Sequence, residues 1–135
     1  MEIRQILLVF LVLSGLSIAE EPVNKVFTAT TDPDGIQKVS IAGGEYYFEP
    51  NHIIVKVNIP VELSVKKVGG FVPHNIEMKA PEAGMKFEEA MSAEPKVIKF
   101  TPTKVGTYPF TCSKKFLFFK SHEEKGMKGI IEVIE

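Results

Sequence analysis

Cysteine is almost missing from this chain of 135 residues: Cys112 stands alone, so no disulfide can form within it. Long apolar runs are missing too. The longest, ILLVFLVL at residues 6–13, is too short to span a bilayer comfortably and has no stop-transfer flank. Neither charge is in excess, since 16 Lys and Arg face 17 Asp and Glu for a formal net charge of −1. The two signs are interspersed rather than blocked, which leaves nothing to invite nucleic acid or an anionic membrane. There is no internal repeat and no low-complexity tract. What remains is a length suited to one domain, with a core large enough to fold without covalent staples.

The first nineteen residues, MEIRQILLVFLVLSGLSIA, have a basic Arg4, a short apolar stretch and a small-x-small ending at Ser17 and Ala19. This pattern predicts a secretory signal peptide over 1–19, cut after Ala19, with residues 20–135 as one domain; an uncleaved anchor is the alternative. No cysteine lies at the cut, so a lipid anchor is unsupported. The mature protein is expected outside the cytoplasm, in a bacterial periplasm by analogy, with no stable membrane insertion. Such compartments are usually oxidising, and small exported domains use cysteines in pairs. A lone thiol there is a liability unless it is buried, joined to another chain or bound to something.

Residues 20–36 carry Pro, Asp and Gly punctuation and read as a loose leading segment with a turn at DPDG. Beyond it the hydrophobic period is close to two. Ile53, Val55, Val57 and Ile59 alternate with Ile54, Lys56 and Asn58, and Val61, Leu63 and Val65 with Glu62, Ser64 and Lys66. Half-buried strands read this way. Further strands fit residues 37–42, 45–48, 73–79, 96–101, 106–112 and 128–134. Together they predict an all-β fold: an antiparallel Greek-key β-sandwich of about seven or eight strands. The segment PEAGMKFEEAMSAEP, residues 81–95, reads as a long connection with room for one short helix along which Met85, Phe87 and Met91 would share a side.

Alternation also fixes where side chains point. In GTYPFTC, Tyr108, Phe110 and Cys112 share a face, and the aromatics mark it as inward. In VPHNIEMK, Ile76 and Met78 mark the face of His74 as inward in the same way. A histidine aimed into an apolar interior needs a hydrogen-bond partner or a metal. In the loop after Cys112, nine residues separate it from His122 and four more separate His122 from Met127, and the chain then returns as the closing strand. If strands 73–79 and 106–112 meet at one pole, His74, Cys112, His122 and Met127 converge there. One thiolate and two imidazoles with a weak axial thioether are the donors of a blue-copper electron-transfer site. Zinc suits the set less well, since structural zinc prefers further Cys or His to Met.

The chain resembles the cupredoxins, the small blue-copper family of plastocyanin and azurin. The resemblance runs from EYYFEPNHIIVKVNIPVELSV through VPHNIEM and VGTYPFTC to HEEKGMKGIIEV. It implies one copper ion per chain, cycling between Cu(II) and Cu(I). His74, Cys112 and His122 would be the strong ligands and Met127 the axial one, with Asn75 hydrogen-bonding the ligand loops together. The chain departs from the family pattern in the Cys112–His122 spacing, which is shorter in plastocyanin and azurin. The binuclear centre of cytochrome oxidase subunit II is excluded, because its second cysteine falls where this chain has Phe116.

Taken singly, each residue has a plainer reading: Cys112 as a buried inert thiol, His74 as a core histidine bonded to a carbonyl, His122 as a surface residue, Met127 as packing. Only the joint arrangement favours a metal. His52 reads as solvated beside a strand, and the scattered Met78, Met85 and Met91 as packing. In the FLFF run, Phe116, Phe118 and Phe119 are candidates for drying the metal or for docking a redox partner. Lys114, Lys115, Lys120, Lys125 and Lys128 around them suit a partner with an acidic face, a redox protein or a membrane oxidase or reductase. The expected role is an exported one-electron carrier and not an enzyme. The alternatives are a copper carrier or resistance protein holding Cu(I), and a subunit of a larger oxidoreductase.

Overall fold

The alternation seen in the sequence is realised as two packed sheets. The structure is a computed structural model that describes residues 24–115 and 119–135. The expected signal peptide, and Phe116 and Phe118, lie outside the described residues. Ten strands follow in order: β1 Val26–Thr28, β2 Gln37–Gly44, β3 Tyr47–Glu49, β4 His52–Lys56, β5 Val61–Lys67, β6 Asn75–Ala80, β7 Met85–Ala90, β8 Lys96–Phe100, β9 Gly106–Thr111 and β10 Lys128–Ile134. One sheet has the order β1-β4-β10-β9-β6-β7, the other β3-β2-β5-β8.

Every second residue faces the space between the sheets. Val61, Leu63 and Val65 of β5 are buried, as are Ile53 and Val55 of β4 and Val39 and Ile41 of β2. Burying such side chains contributes roughly 1.5–3 kcal/mol each relative to exposure, so the interleaved rows give the sandwich its main cohesion. One polar side chain shares this interior. Gln37 donates from Nε2 to the carbonyls of Lys56 and Ile59, both at 3.1 Å, and accepts the Lys56 N–H at 2.7 Å.

The β-sandwich is as expected, with three differences of detail. First, β1 pairs with β4, β10 with β4, and β2 with β5 in parallel, whereas the sequence reading had antiparallel pairs throughout. Alternation reports which face a residue occupies, not the direction of its neighbour, so strand polarity was not legible. Second, there are ten strands among the described residues, not seven or eight. The short β1 is exposed along its length and leaves no burial pattern.

The third difference is β7, within the segment read as a connection. The helical content there is a single 3-10 turn, Pro81–Ala83. Gly84 ends it at φ 74°, and a side chain there would meet the Thr101 carbonyl at 2.5 Å. A helix cannot continue through that left-handed position. Met85 and Phe87 then alternate with Lys86 and Glu88 along an edge strand paired with β6, and Phe87 stacks on Phe100 at 5.4 Å.

Candidate metal centre

β6 and β9 are antiparallel neighbours, with Glu77 opposite Thr111 and Met78 opposite Phe110. The residue before β6 and the residue after β9 therefore lie at the same end of the pair, and these are His74 and Cys112. Ile76, Met78 and Ala80 point inward along β6, while Asn75 and Glu77 occupy the outer row. The return loop brings the third donor. The N–H of His122 donates to the Lys114 carbonyl at 3.0 Å, that of Met127 to the His122 carbonyl at 2.9 Å, and that of Cys112 to the Met127 carbonyl at 3.1 Å. These bonds clip the long excursion at its base and close the turn from His122 to Met127 against the end of β9.

The result is a buried triangle. Nδ1 of His74 lies 3.2 Å from Nδ1 of His122, which lies 3.4 Å from Sγ of Cys112. All three donor atoms fall within 4.8 Å of one another, and the three residues are 2%, 3% and 0% exposed. Donors set about 2.0–2.3 Å from a shared ion and spread around it stand roughly 3.5 Å apart, the spacing found here. Among the described residues, Nε2 of His74 is the one buried side-chain nitrogen or oxygen with no hydrogen-bond partner. A soft thiol and two imidazoles facing one another fit a borderline or soft metal ion.

Burial, first, and the neighbouring His122 and Lys67 hold the His74 imidazole below its usual range, against an opposing pull from Glu45. Burial and Lys125 do the same for His122, again opposed by Glu45. Both rings are thereby biased toward the neutral form that a metal requires.

Met127 is fully buried at the same pole. Its methyl carbon lies 3.3 Å from where a side chain on Gly43 would begin, and the tip of Met91 lies 2.6 Å from that point. Gly43 is a glycine because two thioether side chains occupy the space above it. Met78, Met85 and Met91 are all core residues, as expected, with Met91 beside Met127. Asn75 donates its N–H to Cys112 Sγ at 3.5 Å, and its Oδ1 accepts the Ser113 N–H at 2.8 Å. His52 is apart from the cluster. It opens β4 and bonds Glu132 at 2.7 Å rather than standing free in solvent.

Tyr46 was not singled out from the sequence. Its ring meets that of His122 at 4.9 Å and that of His74 at 5.9 Å, edge to face, and Lys125 Nζ sits 4.3 Å from its centroid. It covers both imidazoles from the turn between β2 and β3. The aromatic cluster EYYFE was the available signal, but alternation alone does not show which ring leaves the strand. A groove of about 530 Å³ opens beside it, lined by His122, Phe71, Val72, Pro73 and Phe119, and by Lys114, Lys115, Lys120 and Lys125. Phe71 is fully exposed, Phe119 is 61% exposed, and no acidic side chain lines the groove among the described residues.

A sandwich of this topology with a His-Cys-His cluster at one pole defines a cupredoxin-like protein. A family model for the cupredoxin-like domain matches residues 6–130, and the chain belongs to that family, which binds copper. Among solved structures it is similar to the metal-binding domain of the Cu(I)-exporting P-type ATPase of Streptococcus pneumoniae, solved with Cu(I). That match has 26% identity and a TM-score of 0.63, covering 84% of this chain and 100% of that one. It is also similar to auracyanin from the photosynthetic bacterium Roseiflexus castenholzii, at 21% identity and TM-score 0.58, over 79% of this chain and 99% of that one. A third likeness is to the periplasmic domain of subunit II of cytochrome oxidase from Bradyrhizobium japonicum. There the identity is 21% and the TM-score 0.54, over 73% of this chain and 83% of that one. No curated protein matches the chain. Among the described residues no helix is long and apolar enough to cross a membrane.

Proposed function

We propose that this chain is an exported mononuclear copper protein that carries single electrons between redox partners, without transforming a substrate. The carrying observation is the buried triangle of His74 Nδ1, His122 Nδ1 and Cys112 Sγ, with edges of 3.2 and 3.4 Å at the His122 corner. These three would hold the ion, with Met127 as the fourth, weak donor. When bound, copper supplies a one-electron couple between Cu(II) and Cu(I). The chain's own residues do the rest. The backbone clips around Lys114, His122 and Met127 hold the donors in place, so the nine-residue spacing does not loosen the site. Tyr46 and the core keep water from the donors, and small ligand movement keeps the reorganisation on electron transfer low.

His122 lines the groove and offers the path from the site to a partner. Its apolar floor and all-lysine charge suit a redox protein or membrane oxidase or reductase with an acidic face. Copper titration with absorption spectroscopy and voltammetry tests the reading. Intense visible absorption from a copper–thiolate bond, with a reversible wave, is expected.

A second reading is favoured by the likeness to the exporter domain and by Met91 beside Met127. On it, the chain holds Cu(I) and passes it on. A colourless protein that competes with strong Cu(I) chelators and forms no stable Cu(II) state is the result that would select it.

A further inference from the structure

Asn75 is 1% exposed, yet its side-chain amide has three hydrogen bonds to make. Its Oδ1 accepts the Ser113 N–H at 2.8 Å, and its Nδ2 donates to Ser113 Oγ at 2.7 Å and to Glu88 Oε1 at 3.1 Å. The Ser113 N–H only donates and a carboxylate only accepts, so Ser113 and Glu88 together fix the amide, its oxygen on the Ser113 N–H and its nitrogen on Ser113 Oγ and Glu88. Ser113 directly follows Cys112, and the Asn75 N–H reaches Cys112 Sγ itself at 3.5 Å. Asn75 thus grips the thiolate from two sides, at the sulfur and at the next peptide, and Glu88 grips Asn75.

Glu88 stands exposed on an edge strand. It sits directly opposite Glu77 across the β6–β7 pair. Like charges facing each other across strands destabilise a sheet. Glu77 is relieved elsewhere, by a 2.7 Å ion pair with Lys79. The Lys79 ammonium, with a smaller contribution from the Ser113 hydroxyl, keeps its carboxyl below the usual range. Glu88 makes no ion pair of its own in the described residues within 4.0 Å, and its hydrogen bond goes to Asn75. Lys79 attracts the exposed Glu88 as well as Glu77, and the hydrogen bond of Glu88 goes to the amide that grips Cys112.

We propose that Glu88 is a positioning residue for the Cys112 thiolate, acting through the orientation of the Asn75 amide. The inference rests on the copper reading for its purpose but not for its geometry, so the two fail separately. The test compares Glu88→Ala with Glu88→Gln in the full domain, first free of metal and then loaded with copper. In the metal-free protein, nitrogen–proton NMR should show E88A shifting the Ser113 backbone amide and the Asn75 side-chain amide. Hydrogen exchange at Ser113 should speed up by up to about tenfold, because the amide whose oxygen accepts its N–H loses the partly buried bond to Glu88. Because the side-chain amide introduced by E88Q still offers an accepting oxygen, that variant should return both signals toward the parent protein. In the copper-loaded protein, E88A should shift the thiolate absorption band and E88Q should largely restore it. Unchanged Ser113 exchange in E88A would overturn the proposal. So would an E88Q protein indistinguishable from E88A, which would leave only the charge of Glu88 as the cause. A protein in which the Ser113 effects hold but copper gives no thiolate band would retain the clasp and overturn the electron-carrier reading instead.

Discussion

Gln37 and His74 are both buried polar side chains in one small sandwich, at 0% and 2% exposure, and they are treated in opposite ways. Gln37, at the start of β2, has both amide protons and its oxygen bonded to the backbone of Lys56 and Ile59. Its chemistry is finished by the fold itself. His74, at the site pole near the far end of β2, has an Nε2 with no partner and an Nδ1 that faces another imidazole and a thiol. A buried polar group costs roughly 1–3 kcal/mol when left unsatisfied. The first arrangement is architecture, and the second is a set of donors, Nδ1 of two imidazoles and a sulfur, that face one another across a space suited to one ion.

The sharpest way to break this comparison is to remove the thiol. Cys112→Ser should abolish copper–thiolate absorption while leaving the melting temperature of the metal-free protein nearly unchanged; a loaded variant with the parent spectrum would remove Cys112 from the site. Gln37→Ala should do the reverse. It strands one amide N–H and two carbonyls and should lower stability by about 2–3 kcal/mol in urea denaturation, with the spectrum of the folded, loaded protein unaltered.

A pH series sharpens the contrast further. Both site imidazoles are held below their ordinary range in the fold, chiefly by burial, so the unfolded chain takes up protons first as pH falls. The metal-free protein should have its full stability above the ordinary histidine value of about 6.5 and lose it as pH falls through that value toward the lower folded-state values. Urea midpoints on either side of that value measure the loss, and a midpoint that rises on acidification would contradict it. The smallest effect is expected at His52→Ala. It removes a partly exposed pair with Glu132, worth up to about 1 kcal/mol, and should leave the copper spectrum untouched.

Much of the site was legible because alternation fixes faces. Cys112 follows Tyr108 and Phe110, and His74 precedes Ile76 and Met78, so both were aimed inward before any strand was paired. The loop supplied His122 by order alone. What alternation does not carry is strand direction, which is why the parallel pairing of β2 with β5 and of β4 with β10 was missed. Nor does it resolve an edge strand such as β7, where Pro81 and Gly84 disguise the start and the pattern breaks at Glu89 and Ala90. Glu88 went unnoticed for that reason. Tyr46 went unnoticed because a turn, not a strand, aims its ring. The effect of the long Cys112–His122 spacing could be judged only once the bond from His122 to the Lys114 carbonyl was seen.

That bond divides one loop into two inheritances. The bond uses backbone atoms alone, so substituting the groove residues Lys115, Phe119 and Lys120 leaves its donor and acceptor in place. On the proposed function, the docking surface can therefore be redesigned by substitution at these positions while the three donors stay where they are.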